Sequence, residues 1–298
     1  IKKDVAAQNF YQLSAKVIEA RSKALQFNTT VSVLLDLYDG IAFSLPDFDA
    51  IHAFIEQWRS HDPGSNIPDI LEARAHIAHA WEIRGNGYSS YVSDDQFEGF
   101  REFVAKAWES AVKAEQKGPM DAELCSVLVK LTFIHKRSKL KAKRYFEQCQ
   151  EIDLGYIPAY QVMRTYLQRI WYGSDRELRQ FIEQAAADTQ HLYGDGMYAI
   201  LVADHTFNTS IIFEKNGGPY LWSRVKAGFE DIFMKYGYSD HMLHEYGYCA
   251  MLAEEHETFA EILKHIGTEW DDSKEHYFRK KSWYQYHLSK TKPYMTSN

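Results

Sequence analysis

The chain has 298 residues, 45% of them hydrophobic and 25% charged, and these proportions exclude disordered and collagen-like proteins. Its 41 acidic and 34 basic residues give a net charge of −7, which argues against a general nucleic-acid binder because phosphate contacts need a basic face. With only 16 glycines and 7 prolines, the chain has too few turn residues for a sandwich or barrel, and the composition favours helices.

The first part of the chain is predicted to form two helices joined by a short apolar segment. Apolar residues recur at steps of three and four from Phe10 to Phe27 and predict the first helix. A short apolar segment over residues 31–38 follows, and the second helix ends in the stretch 62–68, which holds two prolines and a glycine. Such a cluster of helix breakers is typical of a boundary, so we expect an N-terminal helical subdomain over residues 1–61.

Capping boxes mark two later helix starts. Ser93 with Gln96 and Ser174 with Glu177 each place a hydroxyl three residues before an amide or carboxylate, as the capping box requires. Residues 290–298 are predicted to be a frayed tail. Between the boundary and this tail, the apolar periodicity predicts helices over about 70–84, 97–117, 121–134, 138–152, 178–192, 198–213, 221–236, 241–254 and 257–266, and a further helix after the turn at Gly155 and Pro158.

Short turns between these helices force neighbours to be antiparallel. Segments 107–131 and 144–168 share one plan, an aromatic-bearing helix, a Gly/Pro turn and an apolar helix. The two segments follow each other at a spacing of about 35–40 residues, which is typical of tetratricopeptide-like repeats. The sequence therefore predicts an all-α protein with a helical-repeat domain over residues 69–289, built of irregular antiparallel helical hairpins as an α-solenoid. A globular helical bundle is the alternative.

Histidine pairs are the first candidates for chemistry. His76 and His79 lie three apart, as do His241 and His244, so each pair shares a helix face and offers two ligands to Zn²⁺. A zinc site needs a third ligand, and the sequence contains no H-E-x-x-H motif. We interpret these residues as ordinary helix histidines and assign no metal site.

Nucleophile and phosphate motifs are missing as well. The sequence has no G-x-S-x-G elbow and no Walker or Rossmann glycine pattern. Cys125, Cys149 and Cys249 are widely spaced, and we interpret them as buried small hydrophobic residues and not as disulfide partners. Six lysine and arginine residues lie between residues 136 and 144, and we interpret them as the solvent-exposed start of a helix. No catalytic residue and no cofactor is predicted.

The aromatic residues are the most suggestive feature, with 20 Tyr, 17 Phe and 7 Trp. Tyrosine and tryptophan combine a large apolar body with a polar tip and suit both repeat cores and binding grooves. Polar and aromatic residues near helix breaks are therefore the candidate binding residues, and these are Trp81, Arg84, Tyr88, Trp171, Tyr172, Tyr198, Asp204 and His205.

Four short motifs carry a resemblance to a known family. They are the strings 84–88 (RGNGY), 171–174 (WYGS) and 194–198 (GDGMY), and the run 228–236 that begins with GFED. With these motifs the chain resembles, over about residues 71–288, a bacterial helical family known as a domain of unknown function. The resemblance implies a tetratricopeptide-like helical fold and no particular activity. Residues 1–61 lie outside it.

The leading hypothesis is a non-enzymatic protein that binds a protein or peptide partner in the concave face of its helical repeats. One alternative is an enzyme with a dispersed helical site, and another is a bacterial toxin-neutralising or effector-associated protein whose acidic surface covers a basic partner. No nucleic-acid partner is expected. No apolar run reaches the roughly 18 residues of a membrane span, so we expect a soluble protein. A cytoplasmic location is favoured, while export stays open because the chain begins with Ile1.

Overall fold

The protein is all-α. The computed structural model describes residues 1–22, 33–85, 87, 89–136, 138–205 and 211–295. In these ranges the only β pairing is an isolated bridge between Phe213 and Tyr220, and no helix is both long and apolar enough to cross a membrane. The helices are α1 (Lys2–Ala6), α2 (Phe10–Ser22), α3 (Val33–Ala42), α4 (Phe48–His61), α5 (Ile67–Arg84), α6 (Asp94–Lys117), α7 (Ala122–Leu131), α8 (Lys139–Ile152), α9 (Ile157–Tyr166), α10 (Asp175–Tyr193), α11 (Gly196–His205), α12 (Trp222–Tyr236), α13 (Asp240–Leu252), α14 (His256–Ile266), α15 (Asp272–Phe278) and α16 (Lys281–Met295).

The chain folds into two compact units. The first unit contains α1–α9 and extends to Asp175, and the second begins at Arg176 and contains the rest of α10 and α11–α16. The boundary predicted at residues 62–68 does not coincide with this division, since α1–α4 and α5–α9 belong to one unit. Ion pairs cross the predicted boundary, from Arg59 to Asp69 and from Arg21 to Asp121, both 2.8 Å long. The Pro/Gly stretch is therefore a turn inside the first unit.

Within the first unit, α5 and α6 form an antiparallel hairpin. Asn66, directly before α5, donates a hydrogen bond of 2.9 Å to the carbonyl oxygen of Pro119, just after α6. At the other end of the hairpin, the side chain of Gln96 donates to the carbonyl oxygen of Ile83 at 3.1 Å. The capping box of Ser93 and Gln96 is confirmed, so α6 begins where the sequence predicted.

The interpretation of the cysteines is wrong for two of the three. Cys125 in α7 and Cys149 in α8 form a disulfide, while Cys249 is a free buried thiol. The two half-cystines are buried, as predicted, but they lie 24 residues apart in sequence and meet only because α8 folds back along α7. A disulfide needs Cα atoms about 4.4–6.8 Å apart, and the observed separation is 5.5 Å.

Two segments of the second unit differ from the predictions. The helix expected over 198–213 does not include residues 211–213. Phe213 is extended and bridges to Tyr220, whose N–H donates to the Ile212 carbonyl oxygen at 3.1 Å. The tail predicted to fray over 290–298 is helical as far as Met295. Packing explains this helix, because α16 lies against α14 and buries Tyr284, His287 and Thr291.

Candidate functional site

The candidate site is a cavity of about 280 Å³ in the first unit. Four alternate helices of the chain line it, and these are α3, α5, α7 and α9. The helices that follow them in sequence are α4, α6, α8 and α10. The apolar wall comes from aliphatic side chains of all four helices and from the Trp81 ring, while the polar wall comes from α5 and α7. The lining residues are Leu35, Arg74, Ile77, Ala78, Trp81, Glu123, Ser126, Val127, Lys130, Pro158 and Val162.

Helix α7 places the polar residues of this wall. Its N-cap, Asp121, accepts a hydrogen bond of 2.7 Å from the Leu124 N–H and is held by Arg21 and Tyr38. Residues 122–129 and Leu131 are buried, so α7 is surrounded on nearly every side, and Lys130 is its one half-buried residue. Lys130 lines the cavity.

The acidic groups of the cavity are neutralised by one arginine. Arg74 on α5 forms ion pairs with Asp39 on α3 and with Glu123 on α7. The Tyr156 hydroxyl donates a further hydrogen bond to Glu123. Burial raises the pKa of Tyr156 well above its ordinary value, so this phenol keeps its proton and stays a donor. The Nε of Arg74 is buried and has no hydrogen-bond partner among the described residues.

Lys130 is the uncompensated charge of the cavity. Burial, together with the positive charge of Arg74, lowers the pKa of Lys130 from 10.5 to about 8, and the carboxylate of Asp39 acts in the opposite direction. At pH 7 roughly nine in ten of these side chains are still protonated. Within the part of the chain that the structure describes, Lys130 has no ion-pair or hydrogen-bond partner. An ammonium group held in this way attracts an anion.

Four of the predicted binding residues gather at the C-terminal end of α5. Trp81 lines the cavity, and the Arg84 guanidinium lies 5.2 Å from the centre of the Trp81 ring. Trp171 meets Trp81 edge-on at 6.5 Å, and Phe133 lies between Trp171 and Tyr172, at 4.9 and 5.6 Å. Trp171 and Tyr172 are 36% and 40% exposed. They offer an aromatic surface beside the cavity.

The other predicted residues lie elsewhere or outside the described atoms. Tyr198 belongs to the second unit and is buried, where its oxygen accepts a hydrogen bond of 3.3 Å from the Leu221 N–H and its ring lies 4.1 Å from the Arg224 guanidinium. Asp204 is half-buried in α11. Tyr88 and the side chain of His205 lie outside the described part of the structure.

The histidine pairs of the sequence do not act as pairs. His241 contacts the Tyr277 hydroxyl at 2.6 Å, whereas His244 contacts the Asp240 carbonyl oxygen at 2.6 Å. His79 contacts Glu82 at 3.1 Å and stacks on the Phe48 ring. The two rings of each pair contact the same aromatic residues, Phe48 and Phe103 for His76 and His79 and Tyr277 for His241 and His244. Their ring nitrogens share no hydrogen-bond partner among the described residues.

Sequence reasoning missed the charged residues that define the cavity. Glu123 and Lys130 are the signal that was available, because they are the two charged residues of α7, whose other residues are apolar apart from Ser126. Arg74, the partner of Glu123, lies in α5 and pairs in turn with Asp39 in α3, and no local spacing connects these residues to α7.

Comparisons of the chain with protein-family models, with curated proteins and with solved structures give no match. The resemblance to a bacterial helical family therefore stays a prediction, and the function has to be argued from the cavity itself.

Proposed function

We propose that the first unit binds a peptide segment of a partner protein, which places an apolar side chain and a carboxylate in the cavity of α3, α5, α7 and α9. The observation that carries the proposal is the Lys130 ammonium, which faces this cavity without a partner among the described residues. A charge buried without a counterion destabilises the free protein. A ligand carboxylate would remove that penalty.

The size and lining of the cavity suit a peptide anchor. Its volume of about 280 Å³ lies at the lower end of the roughly 300–1,000 Å³ that is typical of ligand pockets. Ile77, Val127 and Val162 supply an apolar wall. The carboxylates of Asp39 and Glu123 are already paired with Arg74, and the attraction of Asp39 for Lys130 does not outweigh the burial and the charge of Arg74 that oppose it.

The exposed aromatic surface of Trp171 and Tyr172 extends the site beyond the cavity. Both rings are more than a third exposed and are held against the buried Phe133. Rigid aromatic rings bury much area at a small cost in side-chain entropy. A peptide anchored at Lys130 would continue over these rings.

The lining also supports the helical-repeat interpretation over a closed bundle. Helices α5 and α7 each pair with the helix that follows them, α6 and α8, and it is α5 and α7 that supply most of the cavity wall. Solenoids of helical hairpins present one helix of each repeat to their ligand in this way.

A random peptide library displayed with free carboxyl termini tests the proposal on the intact chain. We expect the selected peptides to share an apolar residue beside a carboxylate. Lys130→Met should weaken their binding about 10- to 100-fold, since a hydrogen bond to a charged group contributes about 1.5–3 kcal/mol. Lys136→Met is the matched control, because Lys136 is exposed and lies outside the cavity lining. Peptides that bind Lys130→Met as well as the native chain would refute the proposal.

An enzyme with Lys130 as nucleophile is the second candidate, and the lowered pKa of this amine favours it. A neutral lysine adds to an aldehyde or ketone and loses water to give an imine. Borohydride reduces that imine to a secondary amine, which mass spectrometry locates. Labelling of Lys130 well above the other lysines would support this activity, and uniform labelling would exclude it.

A further inference from the structure

A second cluster of polar residues lies between α4 and α5, away from the cavity. His52 and Glu56 are one turn apart on α4, and Glu72 faces them from α5. One ligand atom from each residue lies within 4.8 Å of the other two. The His52 Nδ1 lies 3.7 Å from the Glu72 Oε1. One imidazole and two carboxylates form a ligand set that divalent transition metals use.

The neighbours of the cluster hold the carboxylates and leave ligand atoms available. The Glu72 Oε2 accepts hydrogen bonds from Arg59 at 2.8 Å and from the Ser110 hydroxyl at 2.9 Å, so Oε1 remains for a ligand. Arg59 also contacts the Oε1 of Glu56. In known metal sites, a carboxylate ligand is oriented by hydrogen bonds to the oxygen that does not bind the metal.

Arg59 forms an ion pair with a third carboxylate, that of Asp69, besides those of the two glutamates. Asp69 is fully buried and accepts from Arg59 at 2.8 Å, and Lys113 and Lys117 also lie 3.1 Å from its carboxylate. The charge of Arg59 is therefore shared among three carboxylates. Because Asp69 has two further cations, the glutamates keep negative charge for an added ion.

His76 gives an independent sign that the cluster has a ligand. It lies one turn after Glu72 on α5, is only 8% exposed, and its Nδ1 has no hydrogen-bond partner among the described residues. The centre of its ring is 6.4 Å from that of His52. Buried polar atoms in native proteins nearly always have a partner, and an ion bound near these two imidazoles would supply the one that the His76 Nδ1 lacks among the described residues.

We propose that His52, Glu56 and Glu72 bind a zinc-like divalent ion that links α4 to α5, with His76 as a fourth ligand. The imidazoles disfavour Mg²⁺ and Ca²⁺, which take oxygen ligands almost exclusively. Because Arg59 stays beside the site, we expect micromolar affinity. The proposal is independent of the peptide cavity, since the two sets of residues do not overlap.

Isothermal titration of the intact, chelator-treated chain with ZnCl₂ tests the proposal. We expect one ion per chain and no heat with MgCl₂. His52→Ala and Glu56→Gln should each weaken Zn²⁺ binding about tenfold or more. Both side chains are about half exposed, so neither variant threatens the fold. Co²⁺ substitution should give visible absorption bands that depend on the same two residues.

His61→Ala is the matched control, because His61 is an exposed histidine on the same helix, and it should bind Zn²⁺ as the native chain does. A blank titration of the native chain would overturn the proposal. So would binding that both His52→Ala and Glu56→Gln retain in full, because the ion would then lie at another site.

Discussion

Reduction of the Cys125–Cys149 disulfide should lower the free energy of unfolding of the first unit by about 3.5 kcal/mol. The bond joins residues 24 apart in sequence, and a cross-link that closes a loop of this length removes about 3.5 kcal/mol of chain entropy from the unfolded state. With a urea dependence of about 2 kcal/mol per molar, the unfolding midpoint should fall by roughly 1.7 M.

Both half-cystines are almost completely buried, so the chain has to be reduced in denaturant and refolded in reductant before the urea titration. The double variant Cys125→Ala/Cys149→Ala is the control, because its midpoint should not respond to reductant. A thiol count on the denatured, unreduced chain gives a second measurement. One reactive thiol, that of Cys249, is expected. Three reactive thiols, or an unchanged midpoint, would show that the bond does not form.

Three further predictions concern stability. Lys130→Met should raise the free energy of unfolding by about 1–3 kcal/mol at pH 7, because it removes an unpaired cation. It should also abolish the rise in native stability between pH 8 and 10.5, where the folded chain loses this proton before the unfolded one. His287 is buried and its pKa is lowered from 6.5 to about 4. Stability of the second unit should therefore be full above pH 6.5 and fall by about 3 kcal/mol towards pH 4, and His287→Leu should flatten this slope in urea titrations. A methyl group at Gly228 would overlap the Asp195 carbonyl oxygen, so Gly228→Ala should lower the melting temperature by about 4–8 °C, for a cost of about 2 kcal/mol. Gly64→Ala, where no atom lies closer than 4.0 Å, should leave it unchanged.

Helix positions were largely predictable because their signals are local. The capping box of Ser93 and Gln96 satisfies backbone groups within one turn. Gly237 and Gly267 follow the ends of α12 and α14 with φ of 81° and 73°, a conformation in which glycine has no Cβ penalty. These features depend only on residues within a few positions of one another. The end of the helix before residue 211 was missed because Ile212 and Phe213 pair with Tyr220, across a loop.

The candidate site was predictable only in part. Trp81, Arg84, Trp171 and Tyr172 were selected for their chemistry near helix breaks, and the structure brings them together. The choice of Tyr198 rested on the same argument, yet this residue is buried in the second unit. Composition indicates that an aromatic residue can serve a surface or a core. It does not indicate which.

Composition, periodicity and caps were enough for the all-α class and for most helix bounds, because each helix satisfies its own backbone hydrogen bonds. The pairing of Cys125 with Cys149, the isolation of Lys130 in its cavity and the meeting of His52 with Glu72 depend on how helices pack. Each joins side chains on different helices. Their distances are set by the burial of apolar faces, a property of the whole unit that no local spacing records.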